Sequence, residues 1–370
     1  VALTVETAPA RAAVAPATQQ VAELAPGVAT NVTWTFTPAA EGRTAFALTG
    51  PDGQRQETEV VVAPAFPRPA DPGRLAAEVE PDAAWIGNNK VLLTLIRNQA
   101  GFAHARLDAV DDGGARPMAV LPHLASLYLE HASAAVDLAF QEATVQQVDG
   151  QVVLQLAGTT ETDAATVTAS LTLTLQQEKS YIDTVYTLRA DRPLRIAAFR
   201  GPWLWAGEGA FGAQQDMALF PGSEYMESGE RSSSTLDIAA PMNIRFAPHP
   251  NTVTVPSMAV EKDGGIVGLM WDPLQKWDGQ HDRPTAVFAS PNFIEGHANH
   301  LLGLCLPSIP DYLAPNTLLA HTAYDLQPGA QLTLAAAVYA ESKSDVLRSI
   351  DLYLERYGVP DLPPKPRSYE

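Results

Sequence analysis

The stretch ATVTASLTLTLQ, residues 165–176, alternates apolar and polar side chains almost without a break. A period of two residues places successive side chains on opposite faces of an extended strand, so one face of this segment is suited to burial. The apolar positions that share this face are Val167, Ala169, Leu171, Leu173 and Leu175. The segment is therefore predicted to be a strand in a sheet with one apolar face.

The same pattern recurs through most of residues 75–341. Turn sequences such as DDGG, VDGQ and KDGG separate the runs, and no repeat of fixed length is present. We predict more than about twelve strands, few helices and a mainly β fold, in which residues 75–341 form a large antiparallel super-sandwich of two sheets. The β-rich runs are KVLLTLIRN (90–98), QVVLQLAG (151–158), ATVTASLTLTLQ (165–176), YIDTVYTLRA (181–190), LRIAAFRG (194–201), NTVTVPSMAVEKDGGIVGLMWDP (251–273) and QLTLAAAVYAE (331–341).

Residues 1–64 are predicted to form a separate small β-sandwich. The run NVTWTFTP (31–38) alternates, and TAFALTGPDGQRQETEVVVAP has the pattern of a strand, a Pro-Asp-Gly turn and a second strand. The segment APGVATNVTWTFTP resembles the strand pattern of immunoglobulin-like modules found beside bacterial carbohydrate-active domains. Four prolines in APAFPRPADPG then predict a stiff linker at residues 65–74.

A helix is predicted over residues 342–358, where apolar residues recur at helical spacing. Ser342 or Ser344 can cap its start, and Gly358 is suited to its end. We expect its apolar side to pack on the sandwich or to face another domain. The apolar positions are Val346, Leu347, Ile350, Leu354 and Tyr357.

The charge of the chain disfavours several classes of partner. There are 42 acidic and 24 basic residues, with a formal net charge of −18. Nucleic acid and anionic membrane surfaces require a basic surface, so we expect neither as a partner. A strongly anionic polysaccharide is also disfavoured unless a local basic groove is present. No apolar run approaches the roughly 20 residues of a membrane helix.

The single cysteine, Cys305, cannot form an intrachain disulfide and lies in the apolar run HLLGLCLPSIP. We predict that it is a small buried hydrophobic residue. Low cysteine use fits both the cytoplasm and bacterial export, and we favour a secreted or periplasmic location.

The order of the C-terminal elements supports a family resemblance. The run LQPGAQLTLAAAVYAE (326–341) precedes the predicted helix, and an extended Pro-rich tail (359–370) follows that helix. This order resembles the N-terminal region of glycoside hydrolases and phosphorylases that join a galactose-mutarotase-like super-sandwich to an (α/α)6 barrel. The resemblance implies a carbohydrate or polysaccharide ligand, catalytic carboxylates in a barrel after Glu370, and a sandwich region that is not catalytic alone.

Two relatives of the same sandwich fold keep other functions open. Aldose mutarotases act from the sandwich with a Glu base and a His acid, but their His-Gly-x-x-Arg segment is absent here. The segments EGHANH (295–300) and FAPHPN (246–251) are only loosely similar to the mutarotase pattern. Polysaccharide lyases place a helical domain before the sandwich, whereas the helix here follows it. The hypotheses are therefore a non-catalytic region of a larger enzyme, a stand-alone epimerase or lyase, and a non-enzymatic carbohydrate-binding or surface module.

The stretch PGSEYMESGERSSST (221–235) contains three glutamates in seven residues. Two carboxylates about 5–9 Å apart can carry out glycoside hydrolysis, so Glu224 and Glu227 are candidate catalytic residues. The glycines and serines of the stretch instead favour a solvated loop. We predict a loop at the rim of the sandwich, with Tyr225 and Met226 as its apolar anchor.

Aromatic residues supply the remaining candidates, because their faces stack on the C–H faces of sugars while carboxylates and histidines bind the hydroxyls. Packing in the core is the competing interpretation. The spacing of the nearby Asp and His residues lacks the geometry of a zinc finger or an EF-hand loop, so we predict no metal and no cofactor. The carbohydrate-binding candidates are Trp203, Trp205, Trp271, Trp277, Tyr225 and Asp278, and His281 is a third catalytic candidate.

Overall fold

The computed structural model describes residues 73–130, 132, 134–232, 246–309 and 322–358, together with strand segments between residues 2 and 62. This part of the chain contains 26 strands and one α-helix. The N-terminal strands are β1 (Ala2–Ala8), β2 (Ala12–Ala15), β3 (Thr18–Gln20), β4 (Thr35–Pro38), β5 (Gly42–Thr49) and β6 (Arg55–Val62). The next strands are β7 (Ala76–Val79), β8 (Ala83–Gly87), β9 (Val91–Asn98), β10 (Gly101–Asp111), β11 (Gly114–Leu121), β12 (Ala125–Leu129), β13 (Val136–Leu138), β14 (Glu142–Val148), β15 (Gln151–Glu161) and β16 (Thr166–Gln176). The remaining elements are β17 (Tyr181–Ala190), β18 (Leu194–Ala206), β19 (Met217–Phe220), β20 (Glu224–Glu227), β21 (Ser257–Lys262), β22 (Gly265–Met270), β23 (Thr285–Ala289), β24 (His300–Pro307), β25 (Tyr324–Leu326), β26 (Leu332–Ser342) and α1 (Arg348–Tyr357).

Strands β7 to β26 form a sandwich of two antiparallel sheets. The eleven-stranded sheet follows the path β13-β12-β18-β11-β10-β9-β8-β7; β24 and β25 also pair with β18, and β23 pairs with β24. The nine-stranded sheet has the order β14-β15-β16-β17-β26-β22-β21-β19-β20. The predicted fold class, a mainly β chain with a large antiparallel sandwich that ends in one helix, is confirmed for the described residues. No helix in this part of the chain is both long enough and apolar enough to cross a bilayer.

The core between the sheets follows from the alternation in the sequence. Strand β16 pairs along most of its length with β15 and β17. Its five alternating apolar residues, from Val167 to Leu175, are at most 5% exposed and lie in the core cluster shared with the other sheet. Burial of each large aliphatic side chain stabilises the fold by about 1.5–3 kcal/mol, so this alternation is enough to fix which face turns inward.

The N-terminal strands form a four-stranded sheet in the order β3-β1-β5-β6 and a separate β2-β4 pair. The two predicted strands within residues 44–64 are confirmed as the antiparallel pair β5 and β6, and the predicted Pro-Asp-Gly turn between them lies outside the described residues. Only residues 35–38 of the predicted strand at 31–38 are described. The immunoglobulin-like assignment stays a prediction, and the linker at 65–74 falls almost entirely outside the described residues.

Helix α1 begins six residues later than the predicted helix at 342–358. Strand β26 continues through Ser342, and the Ser344 hydroxyl donates to the side chain of Glu341 and does not cap a helix. The backbone N–H of Val346 donates to the carboxylate of Glu261 at 2.8 Å. Contacts with the nine-stranded sheet therefore set the start of the helix, and a sequence pattern does not contain them.

The end and the packing of α1 match the sequence pattern more closely. Gly358 has a φ of 78° and ends the helix, as predicted. Leu352 and Tyr353 are buried in a cluster on the outer face of the nine-stranded sheet. Leu347 and Leu354 are 60% and 38% exposed. One side of the helix is thus docked on the sandwich, and two leucines on its other side remain accessible.

Two matched leucine substitutions test this docking. Leu352→Ala should lower the free energy of unfolding by about 2–5 kcal/mol, because Leu352 is fully buried. Leu354→Ala should cost under about 1 kcal/mol, because much of this side chain is already in water. Urea unfolding of the two variants measures the difference, and equal effects would show that the helix is not docked as described.

Candidate functional site

The eleven-stranded sheet has an outer face, which is the face opposite the inter-sheet core. Cross-strand pairing places a row of charged, aliphatic and aromatic side chains on this face. Arg106 of β10 lies opposite Val120 of β11, and Val120 lies opposite Trp205 of β18. Trp205 in turn lies opposite Leu301 of β24. Directly opposed residues project from the same face of a sheet. The adjacent Leu204 belongs to the inter-sheet core, so Trp205 points outward.

Two further rows cross β18 on the same face. Trp203 lies opposite Gly303 of β24, while Arg200 lies opposite Cys305 of β24 and Ser126 of β12. A bulge between Arg200 and Trp203 adds one residue to β18 and keeps both side chains on the outer face. One strand therefore presents a guanidinium and two indoles side by side.

Gly303 makes room for one of these indoles. A Cβ atom at this position would lie 2.2 Å from Cε3 of Trp203. Any residue other than glycine would displace the ring, and Trp203 is fully buried against this backbone.

One carboxylate connects both tryptophans to the loop between β23 and β24. Trp203 Nε1 donates to Glu295 Oε1 at 3.1 Å, and Trp205 Nε1 donates to Glu295 Oε2 at 2.6 Å. The side-chain amide of Asn292 also donates to Oε2, at 3.0 Å. Three N–H donors thus converge on a single side chain, which satisfies both buried indoles. We call the following residues the outer-face cluster: Tyr128, Arg200, Trp203, Trp205, Asn292, Glu295 and His297.

Arg200 lies between two aromatic rings. The carbon of its guanidinium is 4.5 Å from the ring centroid of Tyr128 and 4.5 Å from that of Trp203. Its Nη1 is 3.9 Å from Glu295 Oε1, and no described residue forms a hydrogen bond with its Nε. The residue is only 4% exposed, so cation–π contacts and one loose ion pair offset much of the cost of burying its charge.

Cys305 lies beside Arg200 and is completely buried, as predicted. Burial raises the pKa of its thiol to about 12, with Arg200 acting in the opposite direction and Glu295 adding to the rise. The thiol is therefore protonated at neutral pH and is not a nucleophile.

The loop that carries Glu295 is fixed at its base. The backbone N–H of Asn292 donates to the carbonyl of Asn299 at 2.7 Å, and the two side-chain amides are joined at 3.0 Å. Asn299 Nδ2 also donates to Glu208 at 2.9 Å. Next to this pair, the hydroxyl of Ser290 lies 2.8 Å from Nδ1 of His300. These contacts leave the position of the loop base well defined.

A second polar group lies on the same face at β10. Arg106 makes a bidentate ion pair with Asp108, through Nε at 2.7 Å and Nη2 at 2.8 Å. Asp108 is fully buried, and His104 Nδ1 lies 2.6 Å from the carbonyl of Pro122. Buried charge is thus present at two places on this face, and in both places it is paired.

The rim of the outer-face cluster is partly open. Tyr128, Glu295 and His297 are half-buried, and the His297 ring centroid lies 4.3 Å from that of Trp205. Phe293, on the same loop, is 38% exposed. Aromatic faces and hydrogen-bonding groups therefore meet solvent around a buried cation.

The predicted rim loop at residues 221–235 is an edge hairpin over its first half. Strand β20, residues 224–227, pairs with β19 at the edge of the nine-stranded sheet, so the loop prediction is wrong there. Met226 is buried, as expected of an anchor, but Tyr225 is 67% exposed and accepts a hydrogen bond from the backbone of Gly222. Residues 233–235 lie outside the described residues.

The strand also separates the two catalytic candidates. Glu224 is 5% exposed and Glu227 is exposed, and residues three apart on a strand point to opposite faces. They cannot face each other across one sugar ring. Further along, Glu230 and Arg231 line a polar cavity of about 280 Å³ together with Lys262.

Two of the tryptophan candidates belong to the inter-sheet core. Trp271 and Trp277 are 2% and 4% exposed and lie in the same core cluster. Trp203 and Trp205, in contrast, lie on the outer face and on the same side of one strand, as the spacing predicts. The structure therefore divides the four residues into two pairs.

Asp278 and His281 are joined within the loop after β22. Asp278 Oδ2 lies 2.7 Å from His281 Nδ1, and Oδ1 accepts the backbone N–H groups of Gln280 and His281. Burial raises the pKa of Asp278, but hydrogen bonds from His281 and Gln280 outweigh this, so the net pKa is lowered. His281 also stacks on Trp277 at 5.2 Å. The pair organises its own loop. Among the residues described, no group of three or more His, Cys, Asp or Glu is arranged to hold a metal ion.

Several residues of the outer-face cluster were not singled out by sequence reasoning. Arg200 lies in a predicted strand but has no motif around it, and Glu295 is 90 and 92 residues from its two indole donors. The only local sequence signal for this cluster is the pair of tryptophans on one strand. The pair indicates that hydrogen-bond acceptors for buried indole N–H groups are needed, but it does not identify them.

No protein-family model and no curated protein matches this chain. Among solved structures, it is similar to a protein from Synechocystis at 10% identity and a TM-score of 0.40, with 75% of this chain and 100% of that chain covered. A galactose mutarotase related enzyme from Lactobacillus acidophilus has 9% identity and a TM-score of 0.36, with 71% and 98% covered. An α-galactosidase from Geobacillus stearothermophilus has 11% identity and a TM-score of 0.37, with 86% of this chain but 42% of that chain covered. Likeness at this level gives no information on activity.

The buried His300 at the base of the loop makes stability depend on pH. Burial lowers the pKa of His300 to about 4 from its ordinary 6.5, while the backbone groups of Gln214 and Gly212 act in the opposite direction. The unfolded chain therefore binds this proton more readily than the folded chain. The contribution is complete above about pH 6.5 and is lost as the pH falls from there toward 4.

A change from pH 7 to pH 4.5 should remove about 2–3 kcal/mol of this residue's contribution to the free energy of unfolding. His300→Gln should flatten the pH dependence by that amount relative to wild type, even though the variant is less stable overall. His249→Gln is the control and should retain the wild-type slope. Urea unfolding at both pH values measures the effect, and parallel slopes in wild type and His300→Gln would contradict the assignment.

Proposed function

We propose that the outer-face cluster binds carbohydrate, and that the chain is the sugar-binding sandwich region of a carbohydrate-active enzyme without turnover of its own. One observation carries the proposal. A guanidinium and two indole N–H groups are collected on the outer face of β18, opposite the inter-sheet core, and all three are almost completely buried there. Charge of this kind is costly to bury, so a role in recognition accounts for it better than a role in stability.

The chemistry of the rim suits a sugar. Tyr128, His297 and Phe293 offer partly exposed ring faces for C–H groups. Glu208, at the edge of the same region, offers an acceptor for hydroxyl groups. Apolar walls with a few fixed polar groups are the usual composition of a small-molecule site.

Two carboxylates of this face, Glu295 and Asp108, are poorly suited to act as a catalytic base. Glu295 accepts from Trp203, Trp205 and Asn292. Asp108 is fully buried in its bidentate pair with Arg106. Glycoside hydrolysis needs two carboxylates free to exchange protons, and epimerisation needs at least one base of this kind. We therefore expect binding and no turnover by this chain alone.

The proposal includes a partner for α1. Leu347 and Leu354 leave an accessible apolar pair on the helix, and a helical catalytic domain could cover it. A secreted or periplasmic location is part of the same proposal.

Calorimetric titration with a panel of neutral and acidic mono- and disaccharides tests the proposal. At least one sugar should bind the wild-type chain, and Arg200→Gln and Trp205→Phe should each weaken its affinity at least about tenfold, or 1.4 kcal/mol. Arg189→Gln is the matched control, because Arg189 pairs with Gln331 on the exposed side of the other sheet. Polarimetry of the same sugars should show no change in the rate of mutarotation.

Two results would contradict the proposal. Binding of no sugar in the panel, or binding that both cluster variants retain at wild-type affinity, would remove the outer-face cluster as a sugar site. Catalysed mutarotation or hydrolysis by the purified chain would make the sandwich itself an enzyme.

A further inference from the structure

The outer face of β18 offers hydrogen-bond donors and no acceptors. From Arg200 onward its polar side chains are Arg200, Trp203 and Trp205, and a guanidinium or an indole N–H can only donate. They are 4%, 0% and 3% exposed, so water cannot readily serve as their partner. Whatever binds here must bring acceptor oxygens.

A loop residue supplies those oxygens in this structure. Glu295 reaches over from the loop between β23 and β24 and accepts from both indoles, at 3.1 and 2.6 Å. Its contact with Arg200 is looser, at 3.9 Å, and Arg200 Nε has no hydrogen-bond partner among the residues that the structure describes. The donors on the strand therefore exceed what this one carboxylate satisfies.

A hydroxyl in the same surroundings is the second group without a partner. Ser126 lies directly opposite Arg200 on β12, is fully buried, and its Oγ has no hydrogen-bond partner within the described part of the chain. Buried polar groups in folded proteins are almost always paired, so two adjacent exceptions indicate a place where a ligand supplies the missing acceptor. A second carboxylate oxygen would serve both groups.

The loop can release Glu295 without losing its base. The Asn292 and Asn299 contacts and the Ser290–His300 contact lie below the tip. The tip has an exposed Gly296 with a φ of 71° and a Phe293 that is 38% exposed. The contacts of the Glu295 side chain with Trp203, Trp205 and Asn292 must open for a ligand oxygen to take its place.

We infer that this site takes an acidic sugar of the hexuronate class, and that Glu295 occupies the position of the sugar carboxylate until the ligand displaces it. The inference rests on the proposed function and names its ligand. Exchange of one carboxylate for another leaves the buried charge around Arg200 unchanged, whereas a neutral sugar would leave the guanidinium without a counter-charge. A net charge of −18 over the whole chain does not oppose this, because recognition depends on the donors within a few ångströms.

Paired sugars that differ only at C6 provide the test. Galacturonate should bind the wild-type chain at least about tenfold more tightly than galactose, and glucuronate more tightly than glucose, when binding is followed by calorimetry and tryptophan fluorescence. Glu295→Gln should tighten galacturonate binding several-fold, because the competing carboxylate is gone. Arg200→Gln should abolish the preference for the acid. Glu130→Gln is the control, because Glu130 lies outside the outer-face cluster and accepts a hydrogen bond from Arg195 on the exposed N-terminal part of β18.

Glu295→Asp is a second variant in case the glutamine variant fails to fold. Its shorter side chain cannot reach both indoles, so it should shift galacturonate affinity in the same direction by a smaller factor. Equal or tighter binding of galactose by the wild-type chain would overturn the inference and leave the proposed function standing. Binding of no sugar at all would overturn both. Weaker galacturonate binding by both Glu295 variants would show that Glu295 contacts the ligand and does not compete with it.

Discussion

Strand β18 is buried on both faces, and the rest of the molecule is arranged around that constraint. Its thirteen residues pair with β11 and β12 on one side and with β24 and β25 on the other. The inner face is apolar and closes the core against the nine-stranded sheet. The outer face carries Arg200, Trp203 and Trp205, and from Arg200 onward every residue of the strand is buried. Side chains on that face need partners from elsewhere in the chain.

The loop between β23 and β24 supplies those partners through one carboxylate. A buried indole N–H without an acceptor costs roughly 1–3 kcal/mol, so a contact that satisfies two of them has a large effect on local stability. The same contact holds the loop over Arg200. The Glu295 side chain therefore couples three features, which are the position of the loop, the orientation of Trp203 and Trp205, and the cover over Arg200. A ligand that replaces this carboxylate would change all three together.

The sequence predicts much of the sandwich and little of this site. Alternation within β16 is strict because both of its neighbours and its facing sheet are regular, so the local pattern carries the necessary information. The sequence pattern places the start of α1 too early. The contact that sets this start is a hydrogen bond from the backbone N–H of Val346 to Glu261, which is far away in sequence. The sequence around Glu224 indicates a loop where the structure has a hairpin. The two strands of this hairpin have four residues each, which is too few to show the two-residue period of a strand.

The functional residues escape prediction for a related reason. The pair Trp203 and Trp205 was found from its spacing, because both lie on one strand. Glu295 was not, because its role depends on a contact across 90 residues of sequence. Trp271 and Trp277 also have polar neighbours in sequence that are typical of a sugar site, but their rings pack in the inter-sheet core. Composition alone does not separate an indole that stacks inside a sandwich from one that faces a ligand.

The central claim is that Glu295 holds the two indoles of the outer-face cluster, and the indole N–H signals in a nitrogen–proton correlation spectrum test it most directly. The chain has six tryptophans, and Trp→Phe variants assign their signals. In Glu295→Gln, the signals of Trp203 and Trp205 should both shift and exchange faster with solvent, while those of Trp271 and Trp277 stay in place. A spectrum in which neither outer-face signal moves, or in which the core tryptophans move equally, would contradict the account.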